Sequence, residues 1–383
     1  MKIHEYQAKG IFKSFQIPTE KFILCQSVDE VVEAFESMNS KEVMLKAQVL
    51  TGGRFKKGGI KKVDSLESAR QTATEIFSMQ IDDYLVEEIL VSEAVDIKSE
   101  NYISFTIDRT TKSIVLIASA SGGVDIEEVV ASNPDAVYRI PINPFVGIPD
   151  YTARECAFKL TSDYSLVKQI TPIIQNLYEL FVCKDATLAE INPLAVTTDG
   201  VVLAIDGKMV FDANAFYRQP DVVDLHTPTE AEIKENIAKE KGFSFVQLDG
   251  NIGCLVNGAG LAMATNDLIE MNGAQSANFL DIGGSSTSEK VVQAFDLLLE
   301  DDKVGVFLVS IFGGITRCDD VARGLIEALK KVKVVQPIIV RLTGTNEKEA
   351  RELLKDEAVV LTDTMEDAIK LAVFAIESSK TNL

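Results

Sequence analysis

The sequence predicts two successive architectures: an α+β half with mostly antiparallel strands, then, after about residue 240, an α/β half on a doubly wound parallel sheet. In the first half, short β-rich runs are joined by tight turns. The clearest is Thr198-Asp-Gly200 between Thr187–Thr197 and Val201–Val210, and an Asp-Gly between such runs signals a hairpin. In the second half, apolar strands, Gly-rich turns and helical stretches repeat in that order, the pattern of a parallel sheet wound on both faces. The length, 383 residues, suits two or three domains with sizeable cores.

Residues 1–20 read as a short helix followed by Ile17-Pro18, and 28–38 and 65–80 show helical spacing. Between these helices lie a strand at Glu42–Val49, a loop at Thr51–Gly59 and a strand at Ile60–Val63. Asp83–Val91 and Tyr102–Asp108 alternate as strands do, and Ile114–Ala118 returns after a turn at 108–113. The Pro-rich stretch 134–149 reads as irregular connection, and 152–182 is helical. Residues 228–241, charged and helix-prone, read as a linker, which divides the chain into 1–238 and 239–383. The repeated units then place strands at Ile252–Val256, Ala277–Ile282, Val304–Ile311, Pro337–Leu342 and Val359–Leu361. Their Gly turns fall at the carboxyl ends of the strands, where ligands meet such sheets.

The formal charge of −20 excludes a broad basic face for nucleic acid. No apolar run is long enough to span a membrane, and the polar start Met1-Lys-Ile-His-Glu lacks a signal-peptide core. Five scattered cysteines form no CxxC pair, so reduced, cytoplasm-like conditions are expected. Of the two histidines, His4 is expected on the exposed side of the first helix and His226 in the linker. Neither has a Ser or Cys partner nearby, so this chain shows no nucleophilic dyad.

With the hairpin loop centred on Asp199, Asn192 stands opposite Asp206 and Glu190 opposite Lys208. All four then share one face, because strand side chains alternate. Asn192 and Asp206 offer hard oxygens suited to Mg²⁺ held together with substrate phosphates; the same face also reads as a solvated, salt-bridged ribbon. The loop Gly52-Gly-Arg-Phe-Lys-Lys-Gly-Gly59 combines close-approach glycines with three cations, and Lys46 lies within the preceding strand. Lacking the Gly-Lys-Ser/Thr ending of a P-loop, it reads as a flap over nucleotide phosphates or as a surface hairpin. Asn257-Gly-Ala-Gly260 lacks the third glycine of a dinucleotide fingerprint, although the turns at Gly260, Gly284 and Gly314 each open a helix fit for an anion.

These blocks, with His4–Lys9, Gly122–Glu127, Phe216–Pro220, Leu248–Gly253, Val256–Met263, Asn278–Gly284 and Ile311–Ile315, resemble one family over nearly the whole chain: the β subunits of succinate–CoA ligase, ADP-forming type. The resemblance implies an ATP-grasp fold of two lobes, then a flavodoxin-like ligase domain. It implies that Lys46, Gly53, Arg54 and Phe55 meet nucleotide phosphates, and that Ser92, Val95 and Glu100 line adenine and ribose. Asn192 and Asp206 would ligate Mg²⁺, Glu190 would meet a phosphohistidine, and Asn257, Gly314, Ile315 and Thr316 would contact the carboxylate substrate. The implied reaction is succinyl-CoA + ADP + phosphate ⇌ succinate + CoA + ATP, with the phosphohistidine and the CoA site on a partner α subunit, in an αβ or α₂β₂ assembly; with no transit peptide visible, a bacterial-type cytoplasm is expected, or a mitochondrial matrix if the chain is a mature form. Two residues depart from the family pattern: Phe55 where a glycine is usual, and Ser92 where many members carry Glu or Ala. A malate–CoA ligase β chain and a non-catalytic partner subunit are the alternative readings. A dinucleotide-dependent oxidoreductase would instead bind NAD and have no ATP site.

Overall fold

The computed structural model describes residues 1–284, 287–331 and 334–381. The chain divides into two compact units, Met1–Thr227 and Pro228–Leu383.

The first unit holds two main antiparallel sheets. One has four strands in the order Phe22–Cys25, Ile89–Glu93, Val43–Ala47, Ile60–Val63. Its Val43, Leu45, Ala47, Ile89 and Val91 pack against Val31, Ala34, Ala69, Ala73 and Ile76 of the helices Val28–Met38 and Leu66–Phe77. Both helices start on a serine whose Oγ accepts the N–H three residues on, Ser27 from Glu30 and Ser65 from Ser68, which satisfies an orphan donor of the first turn. Strict alternation turns Lys46, Leu90 and Ser92 to the opposite face. That face is where the sequence offers Lys46 to a ligand.

The other sheet is built on two long strands, Ile97–Asp108 and Ala186–Thr197, extended by Ser113–Ser119 and Val137–Ile142 on one side and by Val202–Ala204 and Gly207–Phe211 on the other. Ile103, Phe105, Leu116, Ala118, Ala189 and Ile191 form a core with the helices Asp150–Leu160 and Tyr164–Cys183. Tyr102, Ser104 and Glu190 belong to the other face.

Three expectations change here. Asp83–Val91 is not one strand: Tyr84–Leu85 closes a small hairpin through the left-handed Asp82, and Ile89–Glu93 joins the four-stranded sheet. The Pro-rich stretch is not wholly irregular, since Val137–Ile142 pairs with Ser113–Ser119, with Pro141 opposite Val115. It is an edge strand, where a missing N–H is tolerated. His4 also differs: it precedes the first helix, Glu5–Ser14, half-buried and stacked on Tyr6.

The second unit has a six-stranded sheet in the order Ser244–Gln247, Asn278–Asp281, Ile252–Val256, Val306–Gly313, Ile338–Gly344, Val360–Thr362. All pairs are parallel except the edge strand Ser244–Gln247, which is antiparallel and was not expected. Leu255, Phe307, Val309 and Ile311 face the helices Ser288–Leu299 and Cys318–Lys331. Cys254, Val256, Val306 and Leu308 face Ala259–Met271 and the C-terminal helix, Met365–Thr381. Coverage on both faces is the doubly wound arrangement. The segment 228–241 is a helix, Glu230–Glu240, whose Ala238 enters this core. No helix among the described residues is long and apolar enough to cross a membrane.

Candidate active site

The hairpin has the derived register: Glu190 pairs with Lys208, Ile191 with Gly207, and Leu194 with Ala204. The N–H of Asn192 donates to the carbonyl of Asp206 at 3.2 Å. At the turn, Gly200 has φ +83°, a left-handed conformation that glycine adopts without strain. Pairing with Ile97–Asp108 breaks between Ile191 and Leu194, where the Asn192–Pro193 peptide is cis. Asn192 Oδ1 accepts the N–H of Gly123 at 2.7 Å, and its Nδ2 donates to Val124 O at 2.9 Å. Tyr102 donates its hydroxyl to Glu190 Oε2 at 2.9 Å. Burial pushes the Glu190 carboxyl upward, while the Tyr102 hydroxyl and Lys208 draw it down and the Asp206 charge raises it further.

Asp206 opens onto a buried ion network. Its Oδ2 accepts from Arg54 at 2.7 Å, and its Oδ1 accepts the N–H of Gly207 at 2.7 Å. Arg54 also pairs with Glu5 Oε2 at 2.7 Å and donates to Ala47 O at 3.0 Å. Glu5 Oε1 takes Lys9 at 2.8 Å and Lys46 at 3.0 Å. Glu20 Oε1 takes Lys9 at 2.5 Å and Lys46 at 3.4 Å, and Lys46 donates to Ile205 O at 2.8 Å. Three cations thus face three carboxylates, with the side chains of Lys9, Glu5 and Glu20 at 0–1% exposure.

Burial alone would raise the Glu5 carboxyl, but Lys46, Lys9 and Arg54 outweigh it and hold it well below the usual carboxylate range. Burial lowers Lys46, but Glu5, Glu20 and Asp206 outweigh it and raise its ammonium above the usual lysine range, so it stays charged. Asp206 goes the other way: burial dominates over Arg54, and its carboxyl is raised. Buried ion networks are weak stabilisers compared with apolar packing, so one concentrated beside a glycine loop reads as a binding device.

The glycine loop itself supplies Arg54 to the network. Gly53 adopts φ +70°, and the phenyl ring of Phe55 is 72% exposed. Lys56 reaches Asp125 and Glu128 at 3.0 and 2.8 Å. Ser92 is buried on the Lys46 face, and its Oγ has no hydrogen-bond partner. Val95 lies between the strands Ile89–Glu93 and Ile97–Asp108. Glu100 packs its carboxylate where a Cβ on Gly123 would come within 2.3 Å, and burial raises it. Lys46, Arg54 and Asp206 are therefore joined in one network, while Ser92, Val95 and Glu100 stand outside it.

As a metal site, Asn192 and Asp206 supply an amide oxygen and a carboxylate, both with lone pairs left after their present bonds. Among the described residues no three His, Cys, Asp or Glu side chains form a metal cluster. That donor set fits Mg²⁺, which uses one or two protein oxygens and takes the rest from phosphate and water; it does not fit an all-protein cage.

In the second unit the chain places Asn278–Asp281 on one side of Ile252–Val256 and Val306–Gly313 on the other. The carboxyl ends of the last two flank the switch point where α/β sheets bind ligands. Asn257, directly after the first, clasps the second: its Nδ2 donates to Phe312 O at 2.9 Å and its Oδ1 accepts from Phe312 N at 2.8 Å. Gly314 and Ile315 are exposed. Thr316 is buried, with its hydroxyl turned toward Gly283 O. Asp281 Oδ1 accepts from Gly258 N at 2.5 Å and Gly283 N at 2.7 Å, so the first anion-ready turn holds a carboxylate of the chain itself.

Sequence reasoning missed Glu5, Lys9, Glu20 and Tyr102. The signal for two of them was present: Glu5, Ala8, Lys9 and Phe12 form one helical stripe and all are buried. Charged residues occupy two core positions there. Tyr102 was within reach by alternation from Ile103 and Phe105. Nothing local marks Glu20.

Two family models match: "ATP-grasp domain" over residues 2–196 and "CoA-ligase" over residues 255–374. The succinate–CoA ligase [ADP-forming] subunit beta of Bacteroides thetaiotaomicron is 54% identical over 374 residues, 97% of this chain and 100% of that protein. The protein of the same name from Desulfurococcus amylolyticus is 45% identical, covering 96% of this chain and 97% of its own length. Among solved structures, ATP citrate lyase from Methanothrix soehngenii, in complex with citrate and coenzyme A, aligns over 97% of this chain and 99% of that chain. Its TM-score is 0.72 at 18% identity, a likeness of fold.

Proposed function

We propose that this chain, which belongs to the family of ADP-forming succinate–CoA ligase β subunits, is the nucleotide-handling half of an enzyme that interconverts succinyl-CoA, ADP and phosphate with succinate, CoA and ATP. A partner α subunit would bind CoA and carry the phosphohistidine. The observation that carries the reading is the convergence of Lys46 and Arg54 with Asp206 beneath a glycine flap.

Phosphoryl transfer depends on positioning and charge stabilisation more than on covalent help from the protein. Lys46 and Arg54 offset charge on the phosphates. Asn192 and Asp206 would hold Mg²⁺, which would neutralise charge on phosphate oxygens. Glu190, its carboxyl raised by burial and fixed by the Tyr102 hydroxyl, meets the imidazole that delivers the phosphoryl group. Ser92, Val95 and Glu100 line the base and ribose, and Gly53 and Phe55 bring the flap to the phosphates. Asn257 holds the turn in which Gly314, Ile315 and Thr316 offer backbone N–H groups to a carboxylate.

The test is Mg²⁺- and CoA-dependent ADP release from ATP by the chain co-purified with its partner, comparing succinate with malate. Release with succinate supports the reading. Release with malate alone moves the substrate assignment, and release with neither overturns it.

A further inference from the structure

The ion network contains a cation, Lys9, and a carboxylate, Glu20, that no ligand can reach. Lys9 is fully buried, and the Glu20 side chain that touches it is 1% exposed. Glu20 reaches Lys46 only at 3.4 Å through Oε1, and its Oε2 is buried without a hydrogen-bond partner. A network selected for stability alone would pair that oxygen or replace the charges with apolar groups.

We propose that Lys9 and Glu20 are positioning residues that act through Lys46 and Arg54, setting the net charge these two present to nucleotide phosphates. The inference rests on the nucleotide reading above. With Asp206 assigned to the metal, Lys9, Lys46, Arg54, Glu5 and Glu20 carry a net charge of one positive unit. Glu5 and Glu20 each divide their charge between Lys9 and the phosphate-facing cations. Neutralising Lys9 turns both carboxylates wholly on Lys46 and Arg54 and brings the set to zero. Neutralising Glu20 leaves Lys46 paired with Glu5 alone and brings the set to two positive units. The two changes therefore act on phosphate affinity with opposite sign, although both remove a buried charge from the same place. A unit charge several ångströms from a phosphate, at an effective dielectric near 20, changes affinity by about tenfold or more.

The experiment is calorimetric titration of ATP with Mg²⁺ into the full chain as wild type, Lys9→Met, Glu20→Gln and the double variant, with thermal unfolding of each as a check on folding. Lys9→Met is expected to weaken ATP binding about tenfold and Glu20→Gln to tighten it about tenfold. The double variant, which restores the net charge, is expected within about threefold of wild type, as a coupled pair requires. If both single variants weaken binding, or the double variant binds worse than either, the pair is packing and the inference fails. Should Lys9→Met not fold, Glu20→Gln decides alone: unchanged or weaker binding overturns the proposal. No ATP binding by the wild-type chain overturns the nucleotide reading itself, and this inference with it.

Discussion

Replacing Asp206 with Asn separates function from stability in one change. The wild-type carboxylate lies 2.7 Å from the Arg54 guanidinium. At an effective dielectric of 20 that contact is worth about 6 kcal/mol of gross Coulomb energy, against a desolvation cost of several kcal/mol for each ion. The raised carboxyl of Asp206 states which side wins: burial outweighs Arg54. A carboxyl raised in the folded state contributes stability below its unfolded value, and that contribution is lost as pH rises through the folded value. At neutral pH the ionised group is therefore already a net cost. Asn resembles the neutral form, keeps an oxygen for the Gly207 N–H, and leaves Arg54 anchored to Glu5 and Ala47. The expected change in unfolding free energy is within about 2 kcal/mol of zero, on either side, because Coulomb and desolvation energies nearly cancel. Turnover should fall by about 10²-fold or more, since a preorganised electrostatic group is lost. Urea unfolding of the chain and ATP-dependent turnover of the co-purified enzyme give the two numbers. A stability loss of about 3–5 kcal/mol, the usual cost of breaking a buried pair, would show Asp206 to be structural. Near-normal turnover would remove it from the phosphate site.

Glu5→Gln should behave in the opposite way. It strips the hub from Lys9, Lys46 and Arg54 and should cost about 3–5 kcal/mol at neutral pH. Because the Glu5 carboxyl is held well below 4.5, its stabilisation is present above that value and lost as pH falls through the depressed one. The gap between variant and wild type in urea midpoint should therefore shrink in acid; a constant gap refutes the assignment. Gly207→Ala would place a Cβ 2.3 Å from the buried Phe12 ring, and overpacking of this kind costs about 1–3 kcal/mol, read as a lowered thermal midpoint. Asn257→Ala removes both bonds to Phe312, costing about 1 kcal/mol in this exposed position. It should raise KM for the carboxylate substrate of the co-purified enzyme while leaving KM for nucleotide unchanged.

The hairpin was legible because a turn type fixes a register. Once Asp199-Gly200 is placed, the opposite pairs follow, and the observed pairs from Leu188–Val210 to Val196–Val202 are those, until a bulge sets Ala186 opposite Phe211. The parallel sheet was legible for a similar reason, since each Gly turn ends a strand buried on both faces, and such strands read as continuous apolar runs. Some edge strands escaped, although Ile60–Val63 and Val360–Thr362, also at sheet edges, did not. Ser244–Gln247 alternates between exposed and half-buried residues, too weak a pattern to register, and Val137–Ile142 is hidden by the proline that its edge position tolerates. The ion network escaped because sequence reading assigns charges on a helix to solvent. Glu5 and Lys9 sit at core positions of their helix, and only tertiary packing brings Glu20, Lys46 and Arg54 to meet them.

The two carboxylates that grip Arg54 are in opposite states, and this gives the network a direction. Glu5, almost fully enclosed and facing three cations, is held strongly ionised. Asp206, with a side chain 28% exposed and Arg54 as its one direct cation, is ionised at a cost. A guanidinium shared between them is anchored from the Glu5 side, where loss of the pair is expensive, and only lightly held from the Asp206 side. On the nucleotide reading proposed above, Asp206 is the carboxylate that would turn to a divalent cation at the smaller cost in stability. Arg54 would then keep its Nη1 contacts to Glu5 and Ala47 while its Nη2, now on Asp206, turned to phosphate.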